Sequence, residues 1–423
     1  MGAVCDIWYP AHNSSNVDEH MQLASADRAI RMLCHEIFGF RFNYPLDIVP
    51  EAGPRESLHY YLYGKALSWD ALRLDITGVP RLWQRTTGEV YNPAYIASYG
   101  LTNLGHYLRT QDRMYLDVFL RQVDWLEDHA VIREDGTVVW VNEYDYQEGD
   151  VLLKAPWVSA NVQGFVISAL VRGFRVTHRP HLLELLKDSV RVFQLTVDRK
   201  GIRLPMDGYI LYTEKPGLPA PGILDGFLRS LLGLYDLLIE TGDPKVGVAF
   251  RQGVEGLKYA LRKWDYKGKW SWYGNRFYLS PPAYHWLSRL MLIVLARQTG
   301  ESSFEECAER WDPRRLSNWD RVDIYLTHLF TKNACRWKHR TWRQKTGGIG
   351  VQPPSGIQAL APLTETLCDS RKLQVLALAR LGWSIYQIEG ATGIQGRAVG
   401  DYLKTIDSAL HTVESQTPGG YGT

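Results

Sequence analysis

Three short clusters hold the residue types that proton chemistry needs. In the first, Tyr212, Glu214 and Lys215 put a phenol, a carboxylate and an amine on one short stretch. Such a set can take up and return protons. In the second, Tyr273 and Arg276 precede Tyr284 and His285. The planar fork of an arginine grips a carboxylate with two hydrogen bonds, and tyrosines beside it act as acid and base once their pKa falls from ~10. In the third, Trp157, Ser159 and Gln163 stand at the start of a helical stretch, where free backbone N–H groups favour anions. Singly, each cluster also has a plain structural explanation: a solvated turn, packing aromatics, and a capped helix over a core tryptophan.

The elements that must hold these clusters are helical. Apolar spacing predicts paired helices over 93–109 and 112–129, 159–177 and 181–198, 222–240 and 246–263, and 282–299 and 303–310. Hairpins recurring every ~60 residues predict a mainly α, (α/α)-toroid-like array. The stretches between pairs, 135–150, 200–221 and 264–281, would collect at one end, and connections that long tend to carry function. Ahead of the array, 17–38 reads as a helix capped by Asp18, and 58–63 and 72–76 read as short strands. The expected organisation is an N-terminal segment (1–54), a helical domain with a few strands (55–311), a basic linker (312–365), a small three-helix module (366–412) and a disordered tail (413–423).

Composition removes several classes. The chain has 423 residues, with 48 Lys+Arg against 46 Asp+Glu, a net charge of +2, which argues against a protein that coats nucleic acid along its whole surface. With 45% hydrophobic and 22% charged residues it can build a core and is not disordered throughout. Trp (15) and Tyr (24) outnumber Phe (12), and such rings suit stacking on sugars. Cys5, Cys34, Cys307, Cys335 and Cys368 make no CxxC or metal-type spacing, which fits a reducing compartment. Residues 1–20 lack a basic-then-apolar leader, and the longest apolar run, 290–296, is too short to span a bilayer. A cytoplasmic location without a membrane span is expected. No phosphate loop, nicotinamide or zinc signature appears, so neither cofactor nor metal is expected.

A wider set of segments recurs in a definite order. It runs through Tyr91-Asn92-Pro93-Ala94-Tyr95-Ile96-Ala97-Ser98-Tyr99-Gly100-Leu101. Trp157, Ser159, Ala160, Gln163 and Gly164 follow, with Ser168 and Arg172 on the same helix. Then come Leu224-Asp225-Gly226-Phe227 and Ser230-Leu231-Leu232-Gly233-Leu234-Tyr235-Asp236-Leu237, Tyr273 with Arg276, Tyr284 with His285, and Phe304 with Arg310-Trp311. Together they resemble the C-terminal catalytic domain of D-glucuronyl C5-epimerases, which convert glucuronate to iduronate in heparan-type chains. The likeness spans roughly residues 70–311.

The resemblance implies a helical toroid-like domain and a catalytic set of one Glu with three tyrosines around the sugar carboxylate. By matching position, Glu214 is that Glu, and Tyr273 and Tyr284 are two of the tyrosines. Where the third would follow the Glu, this chain has Lys215, which joins the catalytic set. Arg276 falls to the carboxylate, with Trp157, Gln163, Tyr99, Tyr212 and His285 as further substrate-binding residues. Asp225 stands where the family has Asn, and Pro282-Ala283 where it has Trp-Asp. The implied partner is a glucuronate-containing polysaccharide, and the implied assembly a homodimer. A lyase or hydrolase of uronate polymers on the same scaffold is the nearest alternative, because a lyase shares the C5 proton abstraction.

The C-terminal segment reads as three short helices over 373–381, 384–389 and 397–403. Gly382-Trp383-Ser384-Ile385, Thr392-Gly393-Ile394 and Ala398-Val399 resemble a helix-turn-helix, which would turn Gln395 and Arg397 toward DNA. A three-helix interaction module has the same pattern. Residues 311–350 hold nine Lys/Arg against three Asp/Glu, a balance of 9 − 3 = +6, and could add phosphate contacts. On that reading the chain is a sugar-sensing DNA-binding regulator.

Overall fold

The helices begin where short polar side chains or prolines permit. Asn92 accepts from the Tyr95 N–H at the start of α1 (Pro93–Thr110), and Asp112 accepts from the Met114 N–H at α2 (Arg113–Asp128). Then follow α3 (Ala160–Thr177), α4 (Pro180–Ser189), α5 (Leu224–Thr241), α6 (Pro244–Trp264), α7 (Pro282–Thr299), α8 (Ser302–Arg310) and α9 (Asn318–Thr346). Proline opens α1, α4, α6 and α7, where its missing N–H costs nothing. The structure, a computed structural model, describes residues 46–64, 73–84, 87–148, 151–217, 220–274 and 278–346, the side chains only as far as 337.

The strands are short and antiparallel. β1 (Leu46–Ile48) pairs with β2 (Leu62–Gly64), and β3 (Arg73–Leu74), β4 (Pro80–Gln84) and β5 (Gly88–Val90) form a meander. The connecting stretches fold as two-stranded ribbons. These pair β6 (Val131–Ile132) with β7 (Val138–Val139), and β8 (Val141–Asn142) with β11 (Trp157–Val158). They also pair β9 (Tyr146–Glu148) with β10 (Val151–Leu153), β12 (Arg203–Met206) with β13 (Tyr209–Tyr212), and β14 (Asp265–Tyr266) with β15 (Trp270–Ser271).

The fold is mainly helical, as expected. Four helical hairpins, α1–α2, α3–α4, α5–α6 and α7–α8, stand side by side, and their first members touch in the order α1, α3, α5, α7. β2 packs on α1 and β1 on α7, so the first ribbon links the two ends of the row. Closest of all is the α3–α5 crossing. A Cβ on Gly164 would overlap the Arg229 carbonyl, and one on Gly233 would overlap the Gly164 carbonyl, so neither position admits a side chain. The core between the rows is apolar and continuous, from Ile96 and Val166 through Leu231 to Met291.

One expectation is corrected. Residues 312–365 do not begin as a linker, because Asn318–Thr346 is the single helix α9. Ile324, Tyr325 and Leu329 pack with Trp270 and Leu279, and Lys267 and Lys269 pair with Asp323 and Asp320. Those apolar contacts hold the helix despite its basic composition. By contacts the described residues fall within one unit. The expected helix at 17–38 and the helix-turn-helix with Gln395 and Arg397 lie outside the described residues. Among the described residues no helix is long and apolar enough to cross a membrane.

Candidate active site

Two backbone hydrogen bonds assemble the clusters. The Ala160 N–H at the start of α3 donates to the Thr213 carbonyl at 3.0 Å, which pins the turn after β13 across that helix end. The Leu224 N–H at the start of α5 donates to the Tyr273 carbonyl at 3.1 Å. The N-termini of α3 and α5 therefore meet the loops that carry Glu214, Lys215 and Tyr273. Helix N-termini favour negative charge. Ser159 stands at the N-cap position of α3 but makes no capping bond with its side chain.

A cleft opens there. Glu214, Lys215, Tyr273 and Trp157 line it, together with Asn92, Tyr95, Asn142, Tyr144, Tyr146, Ser159 and Asn161. The Lys215 side chain is buried. Its Nζ donates to the Tyr146 hydroxyl at 3.1 Å and lies 4.8 and 5.5 Å from the ring centres of Tyr146 and Tyr273. The Glu214 carboxyl rests on Gly226, where any Cβ would collide with it. Glu214 is half-buried as a residue, but its Oε2 is fully buried and has no hydrogen-bond partner. Neither does Oδ1 of the buried Asp225, whose other oxygen lies 4.0 Å from Arg229 Nε.

The electrostatics follow from that burial. Loss of water raises the Glu214 pKa to about 7, helped by the negative charge of Asp225 and opposed by Lys215 and Arg229. Burial also raises Asp225, with Arg229 as the main opposing charge. The two carboxyls titrate as one unit. Within the cleft lining, Asn142 (both side-chain polar atoms) and Asn161 Oδ1 are likewise buried without a protein partner. Rings beside unpartnered amide and carboxyl groups suit a hydroxyl-rich guest.

The structure brings together some of the expected residues and separates others. Glu214, Lys215, Tyr273 and Trp157 share the cleft. Tyr284 is buried edge-on against Tyr273, 5.4 Å between ring centres, and does not itself line the cleft. Tyr99 is a buried residue of α1 outside the lining. Arg276 lies outside the described residues. Three expectations are corrected. Tyr212 is a core residue whose hydroxyl donates to the Ala249 carbonyl at 2.7 Å. Gln163 is fully buried and braces Trp140 through both of its polar atoms. His285 stacks on Trp270, accepts from the Ser271 N–H and donates to the Trp311 carbonyl at 2.9 Å. Its burial pushes its pKa down to about 3, so it is a neutral packing residue.

Asn142, Tyr144 and Tyr146 were missed. They alternate along the 135–150 stretch, and a period of two puts such residues on one face. That alternation was the available signal.

Comparison with known proteins bears on the same stretch. Residues 134–313 match the D-glucuronyl C5-epimerase C-terminus family. The resemblance carried by the ordered motifs is thereby shown for these residues, which include the 213–217 loop, the start of α5 and Tyr273; the 91–101 segment precedes the match. A D-glucuronyl C5-epimerase of Caenorhabditis elegans is 30% identical over 159 residues, 35% of this chain and 26% of that relative. The match thus spans about a quarter of the relative's length. Among solved structures, cellobiose 2-epimerase from Spirochaeta thermophila aligns over 76% of this chain and 80% of its own, with 14% identity and a TM-score of 0.38. A D-mannose isomerase aligns over 79% and 99%, with 13% identity and a TM-score of 0.30.

Proposed function

We propose that this chain epimerises uronate residues of a polysaccharide at C5, turning glucuronate into iduronate. The observation that carries this reading is Glu214, its Oε2 buried and its pKa raised to about 7, in a cleft on the segment that matches the C5-epimerase C-terminus. At neutral pH such a carboxyl is present in both forms, so it can take a proton and give one back.

The reaction removes the proton α to the sugar carboxylate. The C5–H electron pair moves onto the carboxylate as an enediolate, and a proton returns to the other face of C5. Glu214 is the base on one face. Tyr273 lies against the developing negative charge, and the positive ends of α3 and α5 add to its stabilisation. Arg276 is assigned to the carboxylate by its motif position, and Tyr284 orients Tyr273 from behind. No bond other than C5–H is broken, and no electrons leave the sugar.

The test is incubation with heparosan, unsulfated or N-sulfated, in D2O with C5 read by NMR. Deuterium at C5 with iduronate signals is the expected result. An unsaturated product absorbing in the ultraviolet would replace this reading with a lyase, and a folded protein that labels no uronate polymer would remove it.

A further inference from the structure

The replacement of tyrosine by Lys215 leaves the 213–217 loop one phenol short of the set that the resemblance implies. The cleft supplies a phenol from another element. Tyr146 lies on β9, paired with β10 through Leu153, and its hydroxyl sits 3.1 Å from Lys215 Nζ. The ammonium also lies over the Tyr146 ring, and Trp157 flanks that ring at 6.1 Å between centres. An ammonium at hydrogen-bond distance from a phenol oxygen favours the phenolate, and so eases proton transfer through that oxygen.

Resting on the epimerase reading, we propose that Tyr146 is the second proton-transfer group of the cleft, acting on the face of C5 opposite Glu214, with Lys215 as its positioning partner. The steps balance. Glu214 takes the C5 proton of glucuronate, and the electron pair moves to the enediolate. The enediolate then takes the Tyr146 hydroxyl proton at C5. The resulting phenolate stands beside the Lys215 ammonium and regains a proton from water, while the Glu214 carboxyl returns to water the proton it took. In the reverse direction the phenolate is the base and Glu214 the acid.

The proposal separates two quantities that a structural role would not separate. The full-length protein is incubated with heparosan in D2O, and C5 deuteration with retained configuration is measured apart from iduronate formation. In Tyr146→Phe, which keeps the ring against Trp157, iduronate formation should fall by about 10²–10⁴-fold. Retentive C5 exchange through Glu214 should persist, with KM within about twofold. Lys215→Met keeps the bulk and removes the ammonium. It should slow the same step, and the double variant should be no slower than Tyr146→Phe alone. Unchanged iduronate formation in Tyr146→Phe, an equal fall in both quantities, or additive losses in the double variant would overturn the assignment. If wild-type protein exchanges no C5 proton at all, the epimerase reading fails first and this one falls with it. Near-ultraviolet circular dichroism on each variant separates lost function from lost fold.

Discussion

The α3–α5 pair carries buried charge at both ends, and the two ends are built on opposite plans. Toward the C-termini, Arg172 grips Asp236 with two hydrogen bonds of 2.7 and 3.2 Å. Tyr61 donates to the same carboxylate at 2.6 Å, and the guanidinium also donates to the carbonyls of His59 and Ser168. Toward the N-termini, Glu214 and Asp225 are buried beside each other, each with an oxygen that no protein group meets. One end satisfies its charge inside the protein and tethers the 59–61 segment to the helices. The other keeps two carboxyls undersatisfied at the wall of a cleft. Undersatisfied buried groups cost stability, and they concentrate where a ligand or a proton completes them. The difference separates the end that holds the fold from the end to which the proposed chemistry is assigned.

The sharpest way to break that contrast is to exchange the losses. Glu214→Gln keeps size and removes the titrating group. C5 exchange should fall by about 10²–10⁴-fold with little loss of stability, because the carboxyl removed had an unmet oxygen. Asp236→Ala should do the reverse. It strands a buried guanidinium, at a cost of about 3–5 kcal/mol, while kcat per folded molecule stays normal. Urea unfolding and a C5-exchange assay on both variants give four numbers. A Glu214→Gln protein that is destabilised as much as Asp236→Ala would make the two ends equivalent.

The same contrast shows what the sequence could reveal. Helix positions were legible because apolar spacing, prolines and Asn or Asp caps agree, and the observed ends of most of the helices of the four hairpins fall within about two residues of expectation. That Glu214, Lys215 and Tyr273 share one cleft was legible in part, since Tyr273 sits in an ordered motif and Glu214 and Lys215 put a carboxylate and an amine side by side on one loop. What failed was direction. Tyr212 adjoins Glu214 and Lys215 in sequence, yet from the end of β13 it points into the core against α6. His285 follows Tyr284 directly, but one helical residue turns a side chain by about 100°, which carries it from Tyr273 to Trp270 and Trp311. The unmet state of Glu214 and Asp225 was not legible at all, since it depends on the bare Cα of Gly226 making room for the carboxyl.

Tyr212 sharpens the boundary between the two roles. Tyr212→Phe deletes one buried hydroxyl and leaves the Ala249 carbonyl without that donor, which should cost about 1–3 kcal/mol in urea unfolding. Epimerisation and KM should stay at wild-type values. A rise in KM with unchanged stability would return Tyr212 to the substrate side.

Asp225→Asn has the smallest expected effect and isolates one cause. Burial is the larger reason for the raised Glu214 pKa and the Asp225 charge the second, so neutralising Asp225 should lower it only in part. On the proposed mechanism the acid limb of the kcat profile reports loss of the Glu214 carboxylate, and it should move to lower pH. Stability should respond with a definite sign. Both carboxyls are raised in the folded protein, so between the ordinary carboxyl range and about pH 7 the folded chain binds more protons than the unfolded one. Stability from this pair is therefore fully present at low pH and is lost as pH rises through that window. In Asp225→Asn the fall in urea midpoint between pH 5 and pH 8 should shrink. A profile and a midpoint that both stay at their wild-type positions would mean that the two carboxyls do not share their charge, and that burial alone sets Glu214 for proton transfer.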